Sequence, residues 1–256
     1  MGTIATVVNQ PTSISHLAVL IPARRLEPAL APMVDLLLDA GFGAVILVDD
    51  GSPGEDKEIF DSLAAKSRVH LLRHSVNRGK GRALKTGIHF FLDTFPEFAG
   101  LVTADADGQH ASGDILRVAY ALLAAQGRAI LGCRNFEGPV PLRSRFGNLV
   151  TRTIFRLVSG LRVSDTQTGL RAFPASLLRD LAALRGERYE YEMTVLAYLC
   201  LHGYVPLEVP ISTIYTEDNR SSHFKPVRDS IRVYSVLLRS VAQRCLRRHR
   251  KAPDSN

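Results

Sequence analysis

Short apolar runs alternate with helical patterns through the first half of the chain. Five runs rich in Val, Ile and Leu predict strands at Leu17–Ile21, Ala44–Val48, Val69–Leu72, Leu101–Ala104 and Ala129–Gly132. Four segments with apolar residues near helical spacing lie between them, at Leu26–Ala40, Glu55–Lys66, Gly81–Thr94 and Asp114–Ala125. Strands separated by helices of this length predict an α/β domain with a mainly parallel sheet flanked by helices. Ligands of such sheets bind at the carboxyl ends of the strands.

The second half of the chain loses this alternation. It holds a basic segment near residues 141–160 and then three predicted pieces: a short run at Leu170–Phe173, a helix near Tyr191–Leu201 and a strand pair near Tyr204–Tyr215. A last amphipathic helix, from about Pro226 to Arg248, follows a polar loop. We therefore expect a flexible leader at 1–15, one domain at 16–224, and an amphipathic helix with a basic tail at 225–256.

The positive charge is concentrated at the end of the chain. Lys and Arg number 32 against 25 Asp and Glu, and six of the seven excess charges lie between Arg239 and Lys251, where no acid occurs. An amphipathic helix with a basic end is typical of contact with an anionic membrane surface. Because the rest of the chain is nearly neutral, nucleic-acid binding by the whole protein is disfavoured. The chain has neither a secretory pattern nor an apolar run long enough to span a bilayer. We expect a cytoplasmic protein, peripheral at the inner face of the membrane, with a membrane protein as a further possible partner.

Two carboxylates directly follow the fourth predicted strand, in the sequence DADGQH at residues 105–110. Acids this close repel each other, and a hard divalent cation bound together with diphosphate oxygens relieves that repulsion. We therefore expect Asp107 and Gln109 to hold Mg²⁺ or Mn²⁺. Asp105 would reach a ribose or the water shell of the ion. His110 would be a hydrogen-bonding neighbour of these acids.

Two further polar segments follow predicted strands. VDDGS at 48–52 places Asp49 and Asp50 where they can accept hydrogen bonds from a nucleotide, although the same letters are typical of a plain turn. NRGKG at 77–81 opens a helix, and Lys80 there is suited to phosphate, with plain helix packing as the alternative. The Walker spacing is absent, which excludes a P-loop NTPase.

The ordered set of motifs resembles a known family. VDDGS, NRGKG, DADGQH and then DTQTGLRAF at 165–173 together resemble the family-2 glycosyltransferases with the GT-A fold, over about residues 17–225. The most similar branch is the dolichyl- or polyprenyl-phosphate sugar transferases. The resemblance implies a metal-dependent enzyme that moves a sugar, with inversion, from a UDP- or GDP-sugar to a lipid-linked acceptor.

The same resemblance assigns the donor side. Asp49 would lie at the base or ribose and Asp105 at the ribose and metal. Pro22 and Ala23 match the start of the family's Pro-Ala-Tyr-Asn-Glu stretch, in which Glu27 is displaced by one position.

A later loop completes that donor site. Arg220 would stabilise the leaving nucleoside diphosphate, and His223 would complete the metal shell.

The acceptor side is implied in the same way. Arg134 stands in the family's Gly-Ser-Arg position, Arg145 and Asn148 fall where the acceptor phosphate is held, and Asp165 borders the acceptor pocket. Guanidinium groups suit phosphate oxygens, while a solvated helix face is the alternative for the arginines of this basic segment.

Glu190 and Glu192 occupy the family's acidic position at a helix start. Either would serve as general base if the acceptor were a lipid or glycan hydroxyl, whereas a phosphate acceptor needs no base. A helix N-terminal acid favoured by the helix dipole is the structural alternative.

Two other classes of protein fit the sequence less well. A sugar-nucleotide pyrophosphorylase carries a glycine-rich signature after the first strand, and Pro22–Arg25 contains no glycine. A non-catalytic basic module that binds membrane or RNA leaves the two carboxylates of DADGQH unexplained.

Overall fold

The computed structural model describes residues 13–134, 155–156, 163–212 and 235. Seven strands lie in these ranges: β1 (Leu17–Ala23), β2 (Ala44–Asp50), β3 (Val69–His74), β4 (Gly100–Thr103), β5 (Ile130–Arg134), β6 (Arg171–Pro174) and β7 (Leu207–Ile211). Six α-helices accompany them: α1 (Leu30–Asp39), α2 (Lys57–Ala64), α3 (Lys80–Thr94), α4 (Ser112–Ala124), α5 (Ala175–Ala182) and α6 (Glu190–Leu201). Short 3₁₀ turns at Ile14–His16 and Gly54–Asp56 precede β1 and α2.

The seven strands form one sheet in the order β3-β2-β1-β4-β6-β5-β7. Within the described residues, β6 is the one strand that runs antiparallel to its neighbours, β4 and β5. The α/β architecture with a mainly parallel sheet is therefore confirmed. The chain moves outward from β1 to β2 and β3 and then returns to the other side of β1 for β4, which makes the β1–β4 boundary a topological switch point.

The alternation of side chains along the strands builds a core on each face of the sheet. Leu17, Val19 and Ile21 of β1 pack on the face that carries α1, α2 and α4. Ala18 and Leu20 point to the opposite face, where α3, α5 and α6 cover them. Gly87 of α3 lies so close to Leu20 that any side chain would collide with it.

The helices differ from the predictions at two points. Helix α5 was not predicted, and α1 begins at Leu30 rather than Leu26, after Pro28. The strand pair predicted near Tyr204–Tyr215 lies partly outside the described residues, which end here at 212 and contain β7, parallel to β5.

The ends of the chain and the basic segment near 141–160 fall largely outside the described residues. Ile14, which was assigned to the leader, is buried in the core just before β1. The predicted helix from about Pro226 to Arg248 lies outside the described ranges except for position 235. Among the helices that the structure describes, none combines the length and apolar character needed to cross a membrane.

Candidate active site

The carboxyl ends of β1, β2 and β4 bring the predicted donor residues to one edge of the sheet. Ala23 pairs in register with Asp49, and Leu20 pairs with Thr103. Pro22, Ala23 and both acids of VDDGS therefore meet the DADGQH segment at the β1–β4 switch point. We call the set 22–23, 49–50 and 105–110 the donor edge.

Asp105 lies in a network of charges at the donor edge. The Lys80 ammonium is 2.6 Å from Asp105 Oδ1 and 3.0 Å from Glu192 Oε1. Burial lowers the pKa of Lys80, but attraction to Asp105 and then to Glu192 outweighs it and holds that pKa well above its ordinary value. Burial likewise raises the pKa of Asp105, but the Lys80 charge reverses the shift and holds it far below the usual range. Asp105 is therefore ionised and already paired.

Asp107 has the opposite electrostatic environment. Its Oδ1 accepts the backbone N–H of Gln109 at 3.0 Å, across a turn in which Gly108 adopts a φ of +74°. Burial, and then the negative charge of Asp105, raise the pKa of the Asp107 carboxyl. A divalent cation would remove this repulsion, so Asp107 is the carboxylate of the pair that is suited to a metal.

Two neighbours pack against the Asp105 carboxylate. Gly169 lies directly behind it, and a side chain at position 169 would collide with the carboxylate. The Gly169 carbonyl also accepts the Thr103 hydroxyl at 2.9 Å. The buried His110 ring places Nε2 at 3.6 Å from Asp105 Oδ2, and both ring nitrogens lack a hydrogen-bond partner among the described residues. The DADGQH and DTQTGLRAF motifs thus meet at Asp105.

The two acids of VDDGS have different surroundings. Asp49 accepts the Ser52 backbone N–H at 2.8 Å and lies 3.4 Å from the Arg73 guanidinium at the rim. Asp50 is occupied by the loop before α3, because its carboxylate accepts the backbone N–H groups of Arg78 and Gly79, each at 2.8 Å. Asp50 thus fixes the loop that leads to Lys80, whereas the described contacts of Asp49 are with the turn at Ser52 and with Arg73.

Arg134 and Asp165 form a pair on the far side of the site. Arg134, the last residue of β5, donates from Nε to Asp165 Oδ2 at 2.6 Å and from a terminal nitrogen to Oδ1 at 3.1 Å. The Asp165 side chain is fully buried and also accepts the Gln167 N–H at 3.0 Å. Two of the four predicted acceptor residues are thus brought together, with the Asp165 carboxylate bound by the protein itself.

Glu190 and Glu192 lie in the first turn of α6 but face different groups. Glu190 Oε1 accepts the backbone N–H groups of Glu187 and Arg188, at 3.1 and 3.3 Å, so this side chain fixes the loop that precedes its helix. Glu192 reaches Lys80 and therefore borders the donor edge. Of the two predicted bases, only Glu192 contacts the Lys80–Asp105 network through a described hydrogen bond.

Arg171 is a site residue that the sequence reasoning passed over. Its guanidinium is buried and donates to the carbonyls of Thr168 at 2.9 Å, Glu192 at 2.7 Å and Thr166 at 3.4 Å. Burial lowers its pKa, while the carboxylates of Glu192, Asp165 and Asp105 oppose that shift. In the sequence it belongs to the DTQTGLRAF motif and lies inside the apolar run LRAF, where a buried charge requires partners.

The remaining predicted residues are placed as follows. Glu27 is half-buried between β1 and α1, and its carbonyl accepts the Leu30 N–H at 2.9 Å. Four others lie outside the described residues: Arg145, Asn148, Arg220 and His223.

Comparison with known proteins decides the family. The model of glycosyl transferase family 2 matches residues 18–182, which include the whole donor edge. The chain is a family 2 glycosyltransferase. This glycosyltransferase is 34% identical to the UDP-N-acetylglucosamine–dolichyl-phosphate N-acetylglucosaminyltransferase of Methanococcus voltae, over 77% of this chain and 85% of that protein. It is 30% identical to the polyprenol monophosphomannose synthase of Mycolicibacterium smegmatis, over 66% and 65% of the two chains.

Solved structures support the same fold. Glucosyl-3-phosphoglycerate synthase from Mycobacterium tuberculosis, in complex with Mn²⁺, UDP-glucose and phosphoglyceric acid, superimposes with a TM-score of 0.67 at 17% identity. The match covers 88% of this glycosyltransferase and 79% of that chain. The predicted GT-A fold is thereby confirmed.

Proposed function

We propose that this glycosyltransferase moves a sugar from a nucleoside diphosphate, UDP or GDP, to a polyprenyl phosphate, with a divalent cation and with inversion at the sugar. The observation that carries the proposal is the contrast within the donor edge. Asp105 is neutralised by Lys80, whereas Asp107, two residues on, lies in surroundings that disfavour its charge. That arrangement suits a carboxylate that binds a cation together with its ligand.

The residues of the donor edge fit Mg²⁺ or Mn²⁺. Among the described residues, no group of three His, Cys, Asp or Glu side chains surrounds a metal position. Mg²⁺ in phosphate-transfer sites is bound by one or two carboxylates, with phosphates and water completing its shell. Asp107 would supply the carboxylate, and Gln109 and His223 would lie beside it. Such an ion offsets the negative charge on a departing diphosphate.

The reaction exchanges one bond at the anomeric carbon for another. An oxygen of the acceptor phosphate forms a bond to the anomeric carbon. The bond between that carbon and the oxygen of the nucleoside diphosphate breaks, and its electron pair leaves with the diphosphate. Asp49 and the backbone at Pro22–Ala23 would bind the nucleoside, and Lys80 and Arg220 would face the phosphates. Preorganised charge of this kind stabilises the departing group in the transition state.

The acceptor assignment rests on the glutamates and on the relatives. Glu190 Oε1 is held by two backbone N–H groups and Glu192 Oε1 by Lys80, so one oxygen of each carboxylate already has a partner. The buried Glu190 Oε2 has none among the described residues. A phosphate monoester, largely dianionic near neutral pH with a second pKa of about 6, needs no protein base. The two relatives described above are named for dolichyl phosphate and for a polyprenol phosphomannose. Arg134, Arg145, Asn148 and Asp165 would border that phosphate.

The experiment compares two lipids that differ in one group. Purified enzyme, Mn²⁺ and a panel of UDP- and GDP-sugars are incubated with a polyprenyl phosphate or with the matching free polyprenol, and products are identified by mass spectrometry. We expect a sugar phosphodiester from the phosphate lipid and no product from the alcohol. Transfer to the alcohol, abolished by Glu192→Gln, would instead establish the hydroxyl alternative.

Membrane association is proposed from the sequence of the C-terminal segment. Truncation after Val241 removes most of the basic cluster and should weaken binding to anionic vesicles, since each surface cation contributes about 1 kcal/mol. The KM for the lipid acceptor should rise while nucleotide binding stays unchanged. Equal vesicle binding by the two forms at low salt would contradict this role.

A further inference from the structure

Three side chains from β2, β3 and α3 form a hydrogen-bonded chain that begins at Asp50 of the donor edge. His74 Nδ1 lies 2.7 Å from Asp50 Oδ1, and His74 Nε2 lies 3.0 Å from the Thr86 hydroxyl. The Asp50 and His74 side chains are 6% and 5% exposed. Because a carboxylate only accepts, Nδ1 carries the proton, and Nε2 of a neutral ring accepts from Thr86. The imidazole is therefore held at both ends.

The same Asp50 carboxylate fixes the loop that begins α3. Its Oδ1 accepts the Arg78 N–H and its Oδ2 accepts the Gly79 N–H, each at 2.8 Å. Gly79 has a φ of +105°, and a side chain there would collide with the backbone of Glu187. The conformation of this loop therefore depends on Asp50 having one orientation.

The residue after this loop is Lys80, whose ammonium bridges Asp105 and Glu192. Residues that contact a ligand are oriented by the hydrogen bonds of the residues behind them. Loss of one of these supporting hydrogen bonds therefore weakens ligand binding. Thr86, His74 and Asp50 thus form a continuous set of contacts that ends at the start of α3, one residue before Lys80.

We propose that His74, held by Thr86, is a positioning residue for donor binding. It orients Asp50, so that the two N–H groups at the start of α3 place the Lys80 ammonium at the donor phosphates. The proposal rests on the donor-binding role given to Lys80 under the proposed function. Neither His74 nor Thr86 contacts the substrate in this account.

The test uses three substitutions on one helix. Thr86→Val removes the hydroxyl at nearly constant shape, Thr86→Ser keeps it, and Thr94→Val changes an exposed threonine at the end of α3. Steady-state kinetics give kcat and the KM values for nucleotide sugar and lipid phosphate. Hydrogen–deuterium exchange follows residues 75–80.

Thr86→Val should raise the donor KM about three- to tenfold, the size expected for one hydrogen bond. Its kcat and acceptor KM should stay within about twofold of wild type, and residues 75–80 should exchange faster. Thr86→Ser should restore both readouts, and Thr94→Val should match wild type.

Two results would overturn the proposal. One is an unchanged donor KM in Thr86→Val, whether or not the hydrogen–deuterium exchange of residues 75–80 becomes faster. The other is an equal rise in both KM values that Thr86→Ser does not restore, which indicates general damage. If Thr86→Val does not fold, His74→Gln is judged by the same criteria. A wild-type enzyme that binds no nucleotide sugar would count against the proposed function, a result distinct from either of these.

Discussion

The donor edge and the Arg134–Asp165 pair handle their charges differently. In the pair, the fully buried Asp165 carboxylate accepts two hydrogen bonds from the Arg134 guanidinium and one from the Gln167 backbone N–H. Its capacity to accept hydrogen bonds is therefore largely used within the protein. At the donor edge, Asp107 receives a single described hydrogen bond and has a neighbouring carboxylate that repels it. The first arrangement stabilises a fold, whereas the second would be completed by a ligand under the proposed function.

The largest expected effect is on catalysis at the donor edge. Asp107→Asn keeps the shape of the side chain but removes the charge that holds the cation, so turnover should fall by about 10²–10³-fold or more. Asp93→Asn, an exposed change on α3, serves as the control and should retain wild-type rates. Near-normal metal-dependent turnover in Asp107→Asn would contradict the assignment.

The next effect is on stability at the pair. Arg134→Met leaves the buried Asp165 without its guanidinium partner and should lower the free energy of unfolding by about 3 kcal/mol in urea titrations. Arg179→Met, at an exposed position on α5, should change it by no more than about 0.5 kcal/mol. If the two variants were equally stable, Asp165 would not depend on Arg134.

The stability of the metal-free protein distinguishes the two acids of the donor edge. The pKa of Asp105 is lowered in the fold, so its ionised form contributes stability above the unfolded value of about 4 and loses it as the pH falls. Asp105→Asn should therefore cost about 1–3 kcal/mol at pH 7. The pKa of Asp107 is raised, so its ionised form is unfavourable at pH 7, and Asp107→Asn should leave stability unchanged or higher. Thermal unfolding in EDTA measures both, and equal losses would contradict the contrast.

The smallest effects are expected at the two glutamates. With a phosphate acceptor, Glu190→Gln and Glu192→Gln should each lower turnover by less than about tenfold, whereas loss of a general base costs about 10²–10⁴-fold. Glu190→Gln should also lower stability by about 1 kcal/mol, because it weakens the two hydrogen bonds to the loop before α6. A loss of several decades in one folded variant would favour a hydroxyl acceptor.

The sequence predicted the first half of the fold well because strands and helices alternate there with clear periods. The eight-residue helix α5 escaped prediction because it is short and follows directly on β6. The DADGQH motif was recognisable because its acids follow a buried strand. The Lys80 bridge between Asp105 and Glu192 was not predictable, since Glu192 lies 112 residues after Lys80 and only the fold brings them together. Burial of Arg171 also depends on carbonyls from two separate segments.

The most direct test of the account is calorimetry of nucleotide binding with and without Mn²⁺. Wild-type protein is titrated with UDP and with GDP, and Asp107→Asn is compared with Asp93→Asn under the same conditions. Wild type and Asp93→Asn should bind one of the two nucleotides at least about tenfold more tightly with Mn²⁺ than without it, a gain of about 1.4 kcal/mol, and Asp107→Asn should not show this gain. Binding of equal strength in EDTA, or an undiminished Mn²⁺ effect in Asp107→Asn, would contradict the claim that the donor edge holds a cation and a nucleoside diphosphate together.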